Sequence, residues 1–138
     1  MSPLAPAARI KWPNDLLVGG AKLAGILLER QLDAVIIGFG VNLAEGPVGA
    51  ASLGGAITPG ALAKRLAAGF EAWLGRWRGE GLAPVRAAWL AAAHPVGTAL
   101  STGDAQGSFD GLDESGALRL RLADGSLRVI HAGDIFLI

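Results

Sequence analysis

Polar and charged side chains interrupt three otherwise apolar runs in the first third of the chain. Asp15 lies in the first run, Lys22 in the second, and Asn42 near the end of the third. A lysine offers a compact positive charge to a phosphate, a carboxylate holds a metal or takes a proton, and an amide both donates and accepts hydrogen bonds. Together the three would suit a ligand that carries negative charge and an adenine-like amide pattern.

Whether Asp15 meets Lys22 depends on the first hairpin. Gly19-Gly20 predicts a two-residue turn, in which Leu17 faces Lys22 and Asp15 faces Ala24. Diagonal neighbours on one sheet face are within reach of side chains of this length. The pattern therefore predicts that Asp15 and Lys22 share a face.

The second hairpin leaves two registers open for Asn42. A three-residue loop at residues 31–33 places Asn42 directly opposite Lys22, whereas a two-residue loop turns it to the other face. We expect the first register, because it alone collects the acid, the lysine and the amide.

Glycines near these residues favour close approach of a ligand to the backbone. We expect Gly25 and Gly38 to border a concavity that contains the three polar side chains. A structural alternative competes on pattern alone: Asp15 and Lys22 form an ion pair, the glycines mark bulges, and Asn14 makes an Asx turn.

The elements that position these residues follow from periodicity and punctuation. Residues 9–18, 22–30 and 34–43 have β character with short separators, which predicts an antiparallel meander. Thr58-Pro59 begins an amphipathic helix, and a second helix is predicted over residues 83–93.

From residue 96 the chain changes to short strands separated by turn residues, which is typical of a small antiparallel barrel. A two-residue turn at Asp124-Gly125 would pair Arg121 with Arg128 on a face that is solvated or meets an anionic group. The predicted core residues of this barrel are Leu118, Leu120, Leu122, Leu127 and Val129.

Composition limits the partners of this chain of 138 residues. It is 51% hydrophobic and 17% charged, so it can form a core. Twelve basic and twelve acidic residues cancel, which argues against general nucleic-acid or membrane binding. The chain has no cysteine, and a cytoplasmic location fits this composition.

Three motifs in order resemble the central sheet of biotin protein ligases. They are KWPNDL at residues 11–16, KLAGIL at residues 22–27 and GFGVNL at residues 38–43. The segment IHAGDI at residues 130–135 is similar to part of the family's small C-terminal domain. The resemblance implies an α+β fold: residues 1–95 would form the C-terminal part of a ligase-like catalytic domain, with an antiparallel sheet and two helices, and residues 96–138 an SH3-like barrel.

The resemblance also implies roles for particular residues. Lys22 matches the lysine that contacts the biotin carboxylate and the α-phosphate, and Asp15 matches the acid associated with the adenylate, its Mg²⁺ and deprotonation of the acceptor lysine. Asn14 and Asn42 match positions near the adenine, and Gly25 and Gly38 match backbone lining the biotin pocket. Lys11, Trp12 and Pro13 are interpreted as scaffold.

The implied ligands are ATP, biotin and Mg²⁺, and the implied partner is a biotin carboxyl carrier domain, such as that of acetyl-CoA carboxylase. Family members carry a glycine- and arginine-rich loop upstream of the KWPND motif, where this chain has about eight residues. Residues 76–81, RWRGEG, are the nearest run and do not match it. We therefore expect that this chain does not catalyse alone. It would be a fragment, the product of a misplaced start, or one piece of a protein whose N-terminal half or homodimer partner is supplied separately.

Two alternatives to a ligase remain at this point. The chain could be a catalytically incomplete module that docks a biotin-carrier domain or a full-length ligase. An oligonucleotide-binding barrel would use Arg119, Arg121 and Arg128, but the sequence lacks the aromatic platform on which bases stack.

Overall fold

The computed structural model describes residues 3–138, which divide into two compact units between Arg65 and Leu66. The first unit contains a four-stranded antiparallel sheet in the order β1-β2-β3-β4. Its strands are β1 (Arg9–Lys11), β2 (Asp15–Val18), β3 (Ala21–Gln31) and β4 (Ala34–Val41). The predicted meander is confirmed, although its first run is two strands, because a turn at residues 12–14 with a cis Trp12-Pro13 peptide interrupts it.

The first long hairpin has the predicted turn but not the predicted pairing throughout. Gly19 and Gly20 both have positive φ, as a two-residue primed turn requires, and Leu17 pairs with Lys22. A bulge then shifts the register, so that Asp15 pairs with Gly25 and not with Ala24. The pairing of Asp15 with Ala24 was wrong, because a bulge opposes two residues of one strand to one of the other.

The second hairpin has a two-residue loop, so the predicted three-residue loop was wrong. Gln31 pairs with Ala34 across Leu32 and Asp33, and Leu32 adopts a positive φ of 53°. Asn42 follows the last residue of β4, and its backbone N–H donates to the carbonyl of Leu23, not to Lys22.

The connection after β4 folds back onto the first sheet. Backbone N–H groups of Leu53 and Gly55 donate to the carbonyls of Asn42 and Leu43. Helix α1 (Pro59–Glu80) then begins as predicted, with the Thr58 hydroxyl accepting a hydrogen bond from the Ala61 N–H at 3.2 Å. It ends at Glu80, and the next residue, Gly81, has a φ of 79°, which is typical of the residue that follows a helix.

The second unit contains helix α2 (Ala83–Ala92) and a five-stranded antiparallel sheet in the order β8-β7-β6-β5-β9. The edge strands β8 and β9 do not pair in this order, so the sheet is not closed into the predicted barrel. Its strands are β5 (Ala99–Ser101), β6 (Gln106–Leu112), β7 (Leu118–Arg121), β8 (Leu127–Ile130) and β9 (Phe136–Leu137).

The core of this unit is only partly the predicted one. Leu118 and Leu120 are fully buried, whereas Leu127 and Val129 are 38% and 41% exposed. The loop at residues 123–125 has one residue more than predicted, since the Leu122 N–H donates to the Ser126 carbonyl. Leu120 consequently pairs with Arg128, and Arg121 with Leu127. The predicted facing of Arg121 with Arg128 was therefore wrong.

The arginines of this sheet meet acidic side chains. Arg119 and Arg121 both donate to Asp110 Oδ2, at 3.1 and 2.8 Å, and Arg128 donates to Asp104 at 3.2 Å. These three arginines therefore form ion pairs within the second unit, which explains their presence without an external anionic partner.

Helix α2 is fixed to β6 through side-chain contacts. The Arg86 guanidinium donates to the carbonyl of Asp113 at 2.8 Å and to the carbonyl of Leu112. The Trp89 and Phe109 rings lie 6.3 Å apart between centroids. The contacts of α2 therefore lie within the second unit, and the domain division at residue 95 stays a prediction. In residues 3–138, neither helix is long and apolar enough to cross a bilayer.

Candidate functional site

Asp15, the first residue of β2, lies between two lysines of the first sheet. Its Oδ1 is 2.9 Å from Lys22 Nζ, and its Oδ2 is 3.1 Å from Lys11 Nζ. Lys11 and Asp15 are direct partners across β1 and β2, and Lys22 reaches Asp15 from β3. The structure thus brings Asp15 and Lys22 together, although the bulge gives a different register from the predicted one.

The three charged groups differ in exposure. The Lys22 side chain is 56% exposed, whereas those of Asp15 and Lys11 are 22% and 14% exposed. Partial burial alone would raise the pKa of the Asp15 carboxyl, but hydrogen bonds from Lys22 and Lys11 outweigh it and hold that pKa below its ordinary value. Asp15 is accordingly a stable anion, and Lys22 is the cation that an incoming ligand meets first.

Gly25 leaves the space that the ion pair uses. A Cβ at this position would lie 3.1 Å from Lys22 Cε and Nζ and 3.3 Å from Asp15 Oδ1. Such separations are tighter than ordinary van der Waals contact, so a Cβ at position 25 would require the end of the Lys22 side chain to shift by a few tenths of an ångström. In this structure the Lys22 side chain lies close to this glycine, and the expected approach of a ligand there stays a prediction.

Two shallow depressions, of about 400 and 470 Å³, meet at this cluster. Lys22, Gly25 and Gly40 line both of them. Asn42 and the loop at residues 47–50 complete the first, and Asp15, Gly38 and Phe39 contribute to the second. Lys22 therefore stands between two concave surfaces, each roomy enough for part of a small ligand.

Asn42 braces the backbone beside the first depression. Its Nδ2 donates to the carbonyl of Lys22 at 3.2 Å and to the carbonyl of Ala51 at 2.9 Å. The Ala51 N–H donates in turn to the Lys22 carbonyl at 3.0 Å. Asn42 thus contacts the main chain of Lys22. The prediction that it lies directly opposite Lys22 across the strands was wrong.

Asn14 contacts the first sheet through its main chain. Its carbonyl accepts a hydrogen bond from the Ile26 N–H at 2.9 Å, which ties the turn before β2 to β3. Asn14 lines neither of the two depressions. Its expected place near an adenine stays a prediction.

The side chains present do not fit a protein-held magnesium site at Asp15. Both carboxylate oxygens are paired with lysine ammonium groups. In the part of the chain that the structure describes, no three His, Cys, Asp or Glu side chains are grouped so as to hold a metal ion. Mg²⁺ prefers several oxygen ligands, which Asp15 alone does not provide.

Sequence reasoning missed Lys11, which it interpreted as scaffold. The signal was available: Lys11 and Asp15 flank the three residues Trp12-Pro13-Asn14, and a turn there makes the two charged residues cross-strand partners. Trp12 is buried, in agreement with its interpretation as a packing residue. No sequence pattern indicated that residues 47–50 line the first depression, because that stretch shows no periodicity.

Comparisons with known proteins show which family the chain resembles. Residues 5–42 match the family model described as "Biotin/lipoate A/B protein ligase family", and residues 97–138 match "Biotin protein ligase C terminal domain". The chain is 40% identical to the biotin–[acetyl-CoA-carboxylase] ligase of Paracoccus denitrificans, over 95% of this chain and 64% of that protein. It is 31% identical to the bifunctional ligase/repressor BirA of Bacillus subtilis, over 91% of this chain and 45% of that protein.

Solved structures show the same fold. The apo biotin protein ligase of Aquifex aeolicus superposes with a TM-score of 0.82 at 20% identity, covering 95% of this chain and 65% of that one. The same enzyme in complex with biotin and ATP superposes with a TM-score of 0.80 at 22% identity, covering 95% of this chain and 62% of that one.

These matches place the chain in the class of biotin and lipoate protein ligase families. Within that class, the chain belongs to the biotin protein ligase family. It spans less than two thirds of the length of the relatives and solved structures described above.

Proposed function

We propose that this chain forms part of a biotin–protein ligase, which activates biotin with ATP to biotinyl-5'-adenylate and transfers the biotin to a lysine of a carrier protein. Family membership and the name of the P. denitrificans relative support the reaction class. The observation that carries the proposal is Lys22, an exposed cation paired with Asp15 at 2.9 Å where two depressions meet.

In the proposed reaction Lys22 stabilises charge. When a carboxylate oxygen of biotin attacks the α-phosphorus of ATP, a new P–O bond forms and pyrophosphate leaves with the electrons of the broken bond. Negative charge grows on the non-bridging oxygens as this happens. A fixed ammonium group beside those oxygens lowers the barrier, because it needs little reorganisation.

Asp15 is proposed to hold Lys22 in place. Its lowered pKa makes it a weak base at neutral pH, which favours an orienting role over proton removal from the acceptor lysine. The two lysines on its oxygens also make it a poor magnesium ligand, so Mg²⁺ is not assigned to this residue.

The remaining assignments concern binding. The open surface beside Gly25 and Gly38 is proposed to take the biotin side of the ligand, and the depression beside Asn42 the nucleotide side. The acceptor is proposed to be a biotin carboxyl carrier domain, as in acetyl-CoA carboxylase. A cytoplasmic location also stays a prediction.

The test is biotin-dependent exchange of labelled pyrophosphate into ATP. The chain is combined with the segment of the P. denitrificans ligase that has no counterpart in it. Lys22→Ala should lower the exchange rate by roughly 100-fold or more, the usual effect of removing one group that stabilises developing charge.

Lys64→Ala is the matched control. It also removes one lysine, but Lys64 lies exposed on α1 and lines neither depression. Its exchange rate should stay within about twofold of wild type, as is usual for exposed substitutions away from a site. Full activity in Lys22→Ala would disprove the role of that lysine, and no biotin-dependent exchange by a formed wild-type complex would disprove the proposed reaction.

A further inference from the structure

The proposed reaction does not account for Lys11. This lysine places its ammonium 3.1 Å from Asp15 Oδ2, while Lys22 occupies Oδ1. Its side chain is the most buried of the three, and it lines neither depression. A ligand in either depression would therefore meet Lys22 but not Lys11.

The net charge of the cluster formed by Lys11, Asp15 and Lys22 depends on Lys11. Asp15 and Lys22 alone would form a neutral pair, and an anion approaching Lys22 would also meet the nearby carboxylate. With Lys11 on the other carboxylate oxygen, two positive charges oppose one negative charge, and the cluster carries a net charge of one positive unit. An anionic ligand then feels an attraction that the isolated pair would largely cancel.

The fold makes this arrangement rigid. Lys11 and Asp15 are paired residues of neighbouring strands, and the intervening turn contains the buried ring of Trp12. Lys11 is thus held on the far side of Asp15 from Lys22.

We propose that Lys11 is a positioning residue that offsets the charge of Asp15, so that Lys22 keeps a net positive charge for phosphate-type anions. This inference rests on the proposed function for the identity of the anion. It concerns the charge of the cluster and does not require turnover.

The experiment is a double-mutant cycle that removes the charges of Lys11 and Asp15 singly and together, with inorganic pyrophosphate as the probe. Pyrophosphate is titrated into the 138-residue chain at low salt, and binding is followed by NMR at the Lys22 side chain. The variants are Lys11→Gln, Asp15→Asn and the double variant Lys11→Gln with Asp15→Asn. Gln keeps a hydrogen-bond donor toward Asp15 and removes only the charge.

Lys11→Gln should weaken pyrophosphate binding by roughly three- to tenfold, the effect of one unit charge in partly solvated surroundings. Asp15→Asn should tighten it. The double variant restores the net charge of the wild-type cluster, so its affinity should return to within about twofold of wild type. A purely structural role for Lys11 predicts no such recovery.

Lys64→Gln is the matched control, since it changes the net charge of the molecule equally and should leave binding unchanged. Wild-type affinity in Lys11→Gln would overturn the proposal, as would a double variant that binds as weakly as Lys11→Gln. Absence of any wild-type response at Lys22 would also overturn it. If Lys11→Gln does not fold, the double variant is compared with Asp15→Asn: it should bind pyrophosphate more weakly, and equal affinity of the two would overturn the proposal.

The assay contains neither biotin nor ATP, so its outcome is separate from that of the exchange assay. A double-mutant cycle that behaves as expected, together with no biotin-dependent exchange, would retain the anion site and reject the ligase reaction.

Discussion

Gly25 shows how one missing side chain supports the site. A Cβ added at this residue would lie 3.1 Å from the end of the Lys22 side chain, which is flexible and can move aside. Gly25→Ala should therefore shift the end of the Lys22 side chain and lower pyrophosphate exchange by roughly two- to tenfold, since misplaced groups lose near-attack geometry. The free energy of unfolding, measured in urea, should change little.

The control for this substitution is Gly69→Ala in α1, where a Cβ meets nothing within 4 Å. It should raise the free energy of unfolding by roughly 0.5–1 kcal/mol, because alanine favours the helix, and leave exchange unchanged. Full activity in Gly25→Ala would show that the position of Lys22 is not limited by this contact.

Asp15 should also contribute to the acid sensitivity of the fold. Its pKa is lowered from 3.8 because hydrogen bonds from two lysines outweigh burial, so its stabilising effect is complete above that value and is lost as the pH falls through the lower, folded-state pKa. In Asp15→Asn, the drop in unfolding free energy between pH 7 and pH 2 should be smaller than in wild type. An equal drop, measured by denaturation at both pH values, would contradict this assignment.

At the scale of elements, periodicity predicted the strands and helices, but register depended on single residues in turns. The glycines at positions 19 and 20 signalled their turn correctly. Leu32 adopts a positive φ without being glycine or asparagine, and the loop at residues 123–125 uses Ala123 as well as Asp124-Gly125. One residue more or less in a turn exchanges the faces of a strand, so the placement of Asn42 and Val129 failed together with these turns.

The corrected register gives a direct test in the second sheet. Leu120 is fully buried and Val129 is 41% exposed, although the sequence assigned both to the core. Leu120→Ala should lower the free energy of unfolding by roughly 2–5 kcal/mol. Val129→Ala should cost less than about 1 kcal/mol, because little of its surface is removed from water. Similar losses in urea denaturation would restore the predicted core.

At the scale of the whole molecule, apolar side chains remain exposed on the first sheet. Leu27 is 73% exposed and Phe39 is 42% exposed, and both line the second depression beside Lys22. Leu27 pairs with Gly38 and Phe39 pairs with Ile26, so the two side chains belong to opposite faces of the sheet. Exposed large apolar side chains often mark places where a ligand or another segment of protein binds. The motifs predicted the family, and the Gly19-Gly20 hairpin predicted that Asp15 and Lys22 share a face. No pattern in this chain could show what else contacts these apolar side chains.

The last prediction concerns activity, which requires more than the charges of this cluster. Holding two substrates in near-attack geometry lowers a barrier by roughly 7–11 kcal/mol. The described depressions are shallow surfaces of one sheet and the loop at residues 47–50. The chain also spans only 64% of the P. denitrificans relative. We expect biotin-dependent pyrophosphate exchange at background level with the 138-residue chain, and restored exchange when the segment of that relative without a counterpart here is added. Restored exchange should again require Lys22, and the added segment should reduce binding of an apolar dye at Leu27 and Phe39. Rapid exchange by the 138 residues alone would show that they hold both substrates without further protein.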